Sequence, residues 1–293
     1  MKMRAMIVGL AATAALALPA QAASDWAAVG KALGKTGAVQ AGGVYRVGLP
    51  RSDLKVTLDG VAIKPALALG SWVAFRDMGD QSMVMGDLVL THAEVNPVMT
   101  ALEDSGIQIT ALHNHLLRSS PATMYMHIDG HGDAVKLATA LHAALAKSRT
   151  PMGAAPPAPT APLALDTAKL DATLGAKGTV NGGVYQFGIP RAETPKANGM
   201  AIPSAMGSAI AINFQPTGAG KAAITGDFVL TADEVNPVIK ALRAGGIEVT
   251  AIHNHMLDDE PRLFFMHFWA NDDAQKLATG LRAALDHVKV AGR

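Results

Sequence analysis

The chain says the same thing twice. "GGVYRVGLPR" at 42–51 returns as "GGVYQFGIPR" at 182–191, and "GDLVLTHAEVNPV" at 86–98 returns as "GDFVLTADEVNPV" at 226–238, both at an offset of 140. Set without gaps, 86–146 and 226–286 share 33 identities in 61 positions. A period that long marks a duplicated domain and excludes a solenoid of short units. Residues 23–147 form the first repeat domain and 166–293 the second. Between them, 148–165 is rich in Ala and Pro and reads as an extended, semi-rigid tether.

Within each copy the pattern predicts an antiparallel sheet with helices packed on it. "GGVYRVGL", "LKVTLDGVAI", "SWVAF" and "SMVMGDLVL" carry the β-branched content and Gly, Pro and Asp punctuation of strands. Two helix starts compete after the last of these. Thr91 to Glu94 matches a capping box but leaves Pro97 inside the helix, at a cost of about 3 kcal/mol. Asn96 as N-cap places Pro97 at the first helical position, and Asn236-Pro237 repeats the choice, so the later start is expected. Gly106 and Gly245-Gly246 end these helices, "IQITALHNHLL" and "TMYMHID" follow as strands, and "DAVKLATALHAAL" closes the copy. The closing helix should turn Val135, Leu137, Ala138, Leu141 and Leu145 to the core. The expected class is α+β, with a ferredoxin-like arrangement in which an upstream strand completes the sheet.

Of ten histidines, six recur in pairs: His113, His115 and His127 match His253, His255 and His267. The other four do not, since His92, His131 and His142 face Ala232, Asn271 and Arg282, and His287 faces Lys147. Strand alternation puts His113 and His115 on one face, and His127 with Tyr125 and Asp129 on one face of the hairpin partner. A register in which paired residue numbers sum to 240 or 242 sets His127 across from His113 or His115. Three imidazoles per domain then form a patch suited to zinc or copper. Asp87 and Asp227 are further candidates, and Glu94 and Glu234 are candidate bases beside the metal. Met83, Met85, Met124 and Met126 would favour copper if they reached the site, though Met is also a common core filler. Without an ion, a solvated sheet face whose histidines bond to neighbouring loops gives the same pattern. Arg51 and Arg191, each after a Pro, are expected to hold a carboxylate rather than an anion, and Asn96 and Asn236 to be caps rather than ligands. The "DDEP" loop at 258–261 is acidic where "RSSP" at 118–121 is slightly basic, so the two patches should differ.

The phrases "GGVYRVGLPRSDLKVTLDGVAIKP", "DEVNPVIKALRAGGIEVTAIHNHML" and "P…MH…DAQKLA" resemble the LppY/LpqO family of exported bacterial proteins, over nearly all of both copies. The resemblance implies export and a domain without an assigned reaction. Its namesakes are lipoproteins, but the chain has no cysteine, so lipid anchoring does not carry over, and disulfides and thiolate sites are excluded with it.

Export is also written in residues 1–22, which read as a signal peptide: Lys2 and Arg4, an apolar run too short to span a bilayer, and "AQA" ending at Ala22. The rest contains no run of roughly 18 apolar residues, so no membrane span is expected in the mature chain. Removing the signal turns the formal charge of +1 into about −1, which offers nucleic acid no electrostatic footprint. Contiguous His-Asn-His is not the dispersed nuclease constellation of that nickname, and no Ser–His–Asp spacing, phosphate loop or dinucleotide glycine pattern is present. The sequence therefore predicts a periplasmic or secreted tandem protein that binds a metal or small molecule, with a metal-dependent hydrolase or a metal-free interaction module as the alternatives. Amino-terminal sequencing of protein recovered outside the cytoplasm should begin at Ala23; an intact Met1 there would refute the signal.

Overall fold

The computed structural model describes residues 24–153 and 162–292. The signal segment and the middle of the tether lie outside the described residues. The first copy runs α1 (Trp26–Leu33), β1 (Ala38–Gln40), β2 (Val44–Pro50), β3 (Thr57–Leu58), β4 (Val61–Ala62), α2 (Pro65–Ala68), β5 (Gly70–Asp77), β6 (Ser82–Thr91), α3 (His92–Glu103), β7 (Gln108–His113), β8 (Thr123–Gly132) and α4 (Ala134–Leu145). The second runs α5 (Thr167–Leu174), β9 (Thr179–Asn181), β10 (Val184–Pro190), β11 (Lys196–Ala197), β12 (Met200–Ala201), β13 (Ala209–Gly218), β14 (Lys221–Leu230), α6 (Ala232–Ala244), β15 (Glu248–His253), β16 (Asp259–Glu260), β17 (Phe264–Asp273) and α7 (Ala274–Leu285).

Each copy builds a six-stranded antiparallel sheet, in the orders β1-β2-β5-β6-β8-β7 and β9-β10-β13-β14-β17-β15. The α+β expectation holds, and β5 is the upstream strand that joins the β6-β8-β7 unit. One face of the first sheet carries Val47, Phe75, Val84, Leu88 and Met126 against Leu33, Val98, Leu102 and Leu141 of α1, α3 and α4. Leu137, Ala138, Leu141 and Leu145 of α4 are buried as expected, but Val135 is exposed and falls outside the apolar stripe.

The other face of each sheet turns to its counterpart. Val44, Ala74, Met83 and Met85 of the first copy share a core with Ile202 and Met206 of the second. The segments following β2 and β10 cross over and seal the junction. Gln186 Nε2 donates to Ala66 O and Gln215 Nε2 to Ala62 O; in the mirrored positions Arg46 Nη1 donates to Ala205 O and Arg76 Nη1 to Ala201 O. The result is a pseudo-twofold sandwich of sheet against sheet, with the main helices outside.

The start of α3 corrects the sequence reading. Helix α3 begins at His92 and α6 at Ala232, with Thr91 and Thr231 as N-caps, so Asn96 and Asn236 lie inside the helices and Pro97 and Pro237 are tolerated there. Tertiary contacts explain why. Thr91 N donates to Glu94 Oε2 at 2.8 Å, and the same oxygen takes Arg51 Nη1 at 2.8 Å; Glu234 repeats both bonds with Thr231 and Arg191. Capping and a buried ion pair together exceed the one backbone bond that Pro97 forgoes. As expected, Arg51 and Arg191 hold carboxylates, with Asp53 and Glu193 as second partners.

Burial pushes the Glu94 carboxyl up, but the Arg51 guanidinium and the Thr91 and Arg149 amides outweigh it and hold the group below its ordinary 4.5. A carboxylate depressed in the fold stabilises fully above its unfolded value and loses that contribution as pH falls through the folded one. Glu94→Gln should therefore lower stability by about 3 kcal/mol at neutral pH, through the buried guanidinium it leaves undercompensated. The gap to wild type should close in acid. Equal unfolding curves at pH 7 would contradict this role.

Candidate metal centre

The hairpin register differs from expectation, and it contains a bulge. Ile109 pairs with Ile128, but Ala111 pairs with His127 and His113 with Tyr125, so the paired numbers sum to 238 beyond Thr110. His127 is thus diagonal to His113 rather than opposite it, and β15 and β17 show the same bulge. The three residues still share a face, because the alternation resumes after the extra residue.

Within each copy the rings already lie about one ring apart, His113 at 4.9 Å from His115 and 5.1 Å from His127 between centroids, and assembly brings the two groups together. The sequence predicts one patch per domain; the structure instead interleaves all six rings at the junction. His113 stacks on His253 at 3.5 Å between ring centroids and His127 on His255 at 3.8 Å, while His115 meets His267 at 3.6 Å with the rings tilted by 32°. His113 and His253 are equivalent residues, so their contact lies across the pseudo-twofold axis. Thr110 Oγ1 donates to His255 O at 2.6 Å, and Thr250 Oγ1 to His115 O at 2.7 Å, which ties the bulge of each copy to the histidine loop of the other. Asn254, between its two histidines, donates through Nδ2 to Thr110 O at 2.8 Å. The solvated-face alternative fails for the same reason: the opposite sheet covers this face.

Glycines set the floor on which the rings stand. A Cβ on Gly226 would lie 2.0 Å from Ala211 O and 2.6 Å from the Phe268 ring; on Gly86 it would lie 2.8 Å from Trp72 O. No side chain fits at either position. His267 Nδ1 donates to the Gly226 carbonyl at 2.7 Å, which leaves the Nε2 lone pair free; His127 makes a backbone hydrogen bond at Gly86, the equivalent residue. Orienting one ring nitrogen on a carbonyl while the other faces inward is the usual support of a metal-ligating histidine.

The inward atoms have no partners. His113 Nδ1 and Nε2, and Nε2 of His115, His127, His253, His255 and His267, are sealed from solvent without a hydrogen bond, as are Asp87 Oδ1 and Asp227 Oδ1. His255 Nε2 lies 3.1 Å from Asp227 Oδ2 but is not aligned for hydrogen bonding. Such orphaned groups cost about 1–3 kcal/mol each, and native interiors show few. Three sets of ligand atoms lie within 4.8 Å of one another: His113, His115 and His267; His113, His127 and His253; and Asp227, His253 and His255. Burial, then the neighbouring imidazoles, holds His115, His127 and His255 well below their usual value; burial also lowers His113 and His253, and takes His267 down to about 3 despite the opposing charge of Asp227. Neutral imidazole is the form that binds metal. Burial, reinforced by Asp227, pushes Asp87 up to about 8, and burial raises Asp227 as well; a bound cation would reverse both.

The candidate bases are elsewhere. Glu94 and Glu234 are engaged by arginine, cap and loop amides, and neither lines the cleft beside the histidines, so the expected role at the metal is corrected. Both Asp87 and Asp227 line it. Met124 and Met126 pack on the helix side, and Met83 and Met85 in the shared core, which favours core filling over thioether ligation. Thr110, Thr250, Arg46 and Trp72 escaped the sequence reading. Equivalence at offset 140 offered a signal for the threonines, whereas the two aromatic and basic residues have no counterpart in the second copy.

Residues 27–147 and 168–287 each match the family described as Domain of Unknown Function (DUF1259). The chain belongs to that family. Its two DUF1259 domains coincide with the two sheets, and the match carries that description rather than the LppY/LpqO name. No curated protein matches the chain. Among solved structures it is similar to the trimeric bacterial microcompartment shell protein PduB, at 13% identity over 86% of this chain and 91% of that one, with a TM-score of 0.20. EtuB from Clostridium kluyveri gives 9% identity over 85% and 88% of the two chains, again with a TM-score of 0.20. Superpositions that loose bear on neither fold nor function.

Proposed function

We propose that this chain is an exported protein that binds a divalent transition metal, zinc or copper, in the junction between its two DUF1259 domains. The observation that carries the reading is the convergence of seven unpartnered, sealed imidazole nitrogens from six side chains, with the rings of His127, His253, His255 and His267 each oriented by a backbone hydrogen bond. A purely structural cluster would find those nitrogens hydrogen-bonded, since an unpaired one is less stable than an apolar replacement of the same shape. The donor set of imidazole and carboxylate suits both metals. Two of the three candidate ligand sets draw on both domains, and the third, Asp227 with His253 and His255, lies within the second.

A second reading, metal-dependent hydrolysis, draws support from the cleft of about 1020 Å³ against the histidines. That volume suits an organic substrate. A base for bound water would then come from Asp87 or Asp227, the carboxylates in reach, in place of Glu94 and Glu234.

Metal analysis of the purified mature chain after loading and dialysis at neutral pH should find at least one equivalent of zinc or copper. Free metal at 100 times its Kd should raise stability by about 2.7 kcal/mol. His253→Ala with His255→Ala should lose both effects, and Asp227→Asn, which preserves shape, should weaken binding with the fold intact. No stoichiometric metal and no stabilisation would sink the metal reading; metal without turnover on a hydrolase substrate panel would remove the enzymatic one.

A further inference from the structure

The two ends of the cleft are not equivalent, and the difference is one of charge and size. Register places Trp72 beside Asp87, which pairs with His127; in the second copy Ala211 holds the place beside Asp227, which pairs with His267. Trp72 reaches over the crossing segment at Gly207, where an added Cβ would lie 3.0 Å from the indole and 3.8 Å from His255 Nδ1. The Arg46 guanidinium lies over the indole face, 3.8 Å from its centroid. Arg46, Trp72 and Gly207 thus form a continuous wall that ends at a histidine of the metal centre.

Arg46 stands apart from the other arginines sequestered in this chain. Arg51 and Arg191 each hold two carboxylates at bonding distance, whereas Arg46, among the described residues, makes no ion-pair contact and meets only the longer-range charge of Asp87. Its hydrogen bond to Ala205 O ties down the crossing segment, but Gln186 performs the equivalent task on Ala66 O without charge. The bond to the crossing segment therefore does not require a cation at this position, and Asp87, pushed up to about 8 by burial and Asp227, offsets little of the charge near neutral pH. Lys35 lines the same cleft and also has no acidic partner; its ammonium reaches only Pro151 O, at 3.4 Å.

We propose that the cleft takes a small organic oxyanion, a carboxylate or phosphate monoester, whose charged group docks on Arg46 and whose body lies along Trp72 towards the histidines. A guanidinium presents a planar fork of donors that matches either group, and an aromatic face supplies apolar contact for the body. Burial of the cation away from bulk water strengthens that attraction. The subsite deepens the metal reading by giving it a ligand class, but Arg46 and its wall exist whether or not a metal binds.

Titration calorimetry of the full mature chain, metal-free and zinc-loaded, with phenyl phosphate, benzoate and inorganic phosphate tests the assignment. Wild type should bind at least one of the two aromatic anions, with a change in tryptophan fluorescence that Trp72→Phe removes. The preferred aromatic anion distinguishes carboxylate from phosphate ester. Arg46→Gln, which installs the residue that the second copy uses, should keep the melting temperature and the metal content and bind the anion at least ten-fold more weakly. No binding of either aromatic anion, equal affinity in Arg46→Gln, or an Arg46→Gln chain that unfolds or loses metal would each overturn the subsite. Anion binding through Arg46 in a protein that takes up no metal would leave the subsite standing and remove the metal reading; metal uptake without anion binding would do the reverse.

Discussion

Everything at the centre of this molecule depends on two polar sheet faces being buried against each other. An antiparallel sheet with helices on one side ordinarily leaves its other side to water. Here each DUF1259 domain uses the other as its lid, and the segments after β2 and β10 cross the junction to close it. The imidazoles are consequently dry, neutral and close together. The closest ring contacts, between His113 and His253, His115 and His267, and His127 and His255, all cross from one copy to the other.

That burial carries an energetic penalty that the surrounding structure offsets. Seven sealed ring nitrogens and two carboxyl oxygens without partners represent a cost of several kcal/mol. Opposing it are the apolar core shared by Val44, Ala74, Met83 and Met85 with the second domain, the threonine bonds across the axis and the crossing segments. Polar strain held in place by a well-packed frame is the usual condition of a binding site. A cation placed among the rings would turn the cost into coordination, which is why the cluster reads as a ligand set rather than as packing.

Much of this was legible in the chain. Duplication gave the domain plan, strand alternation put His113, His115 and His127 on one face, and the Pro-Arg motif announced a carboxylate partner for Arg51. Local rules misplaced the helix start, because the energy that keeps Thr91 as the cap comes from Arg51, forty residues away in sequence. The hairpin register misses by two residues because composition does not say where the loop closes, and the bulge at Thr110, which returns the histidines to one face, leaves no mark there either. Above all, a repeat does not say whether its copies stand apart or face to face, so six histidines read as two patches rather than one. A helix start at Asn96 would free Glu94 and Glu234 for the metal; with the caps at Thr91 and Thr231 they are held by those caps and by the arginines instead.

The central claim is that these imidazoles are held for an ion and weaken the fold without one. Thermal unfolding of His113→Leu with His253→Leu, which replaces the pair on the axis by apolar groups, tests it most directly when run metal-free and zinc-loaded beside the wild type. The account predicts a metal-free variant at least as stable as metal-free wild type, with the stabilisation by zinc lost. A variant that is several kcal/mol weaker without metal, yet gains as much from zinc as the wild type does, would contradict it.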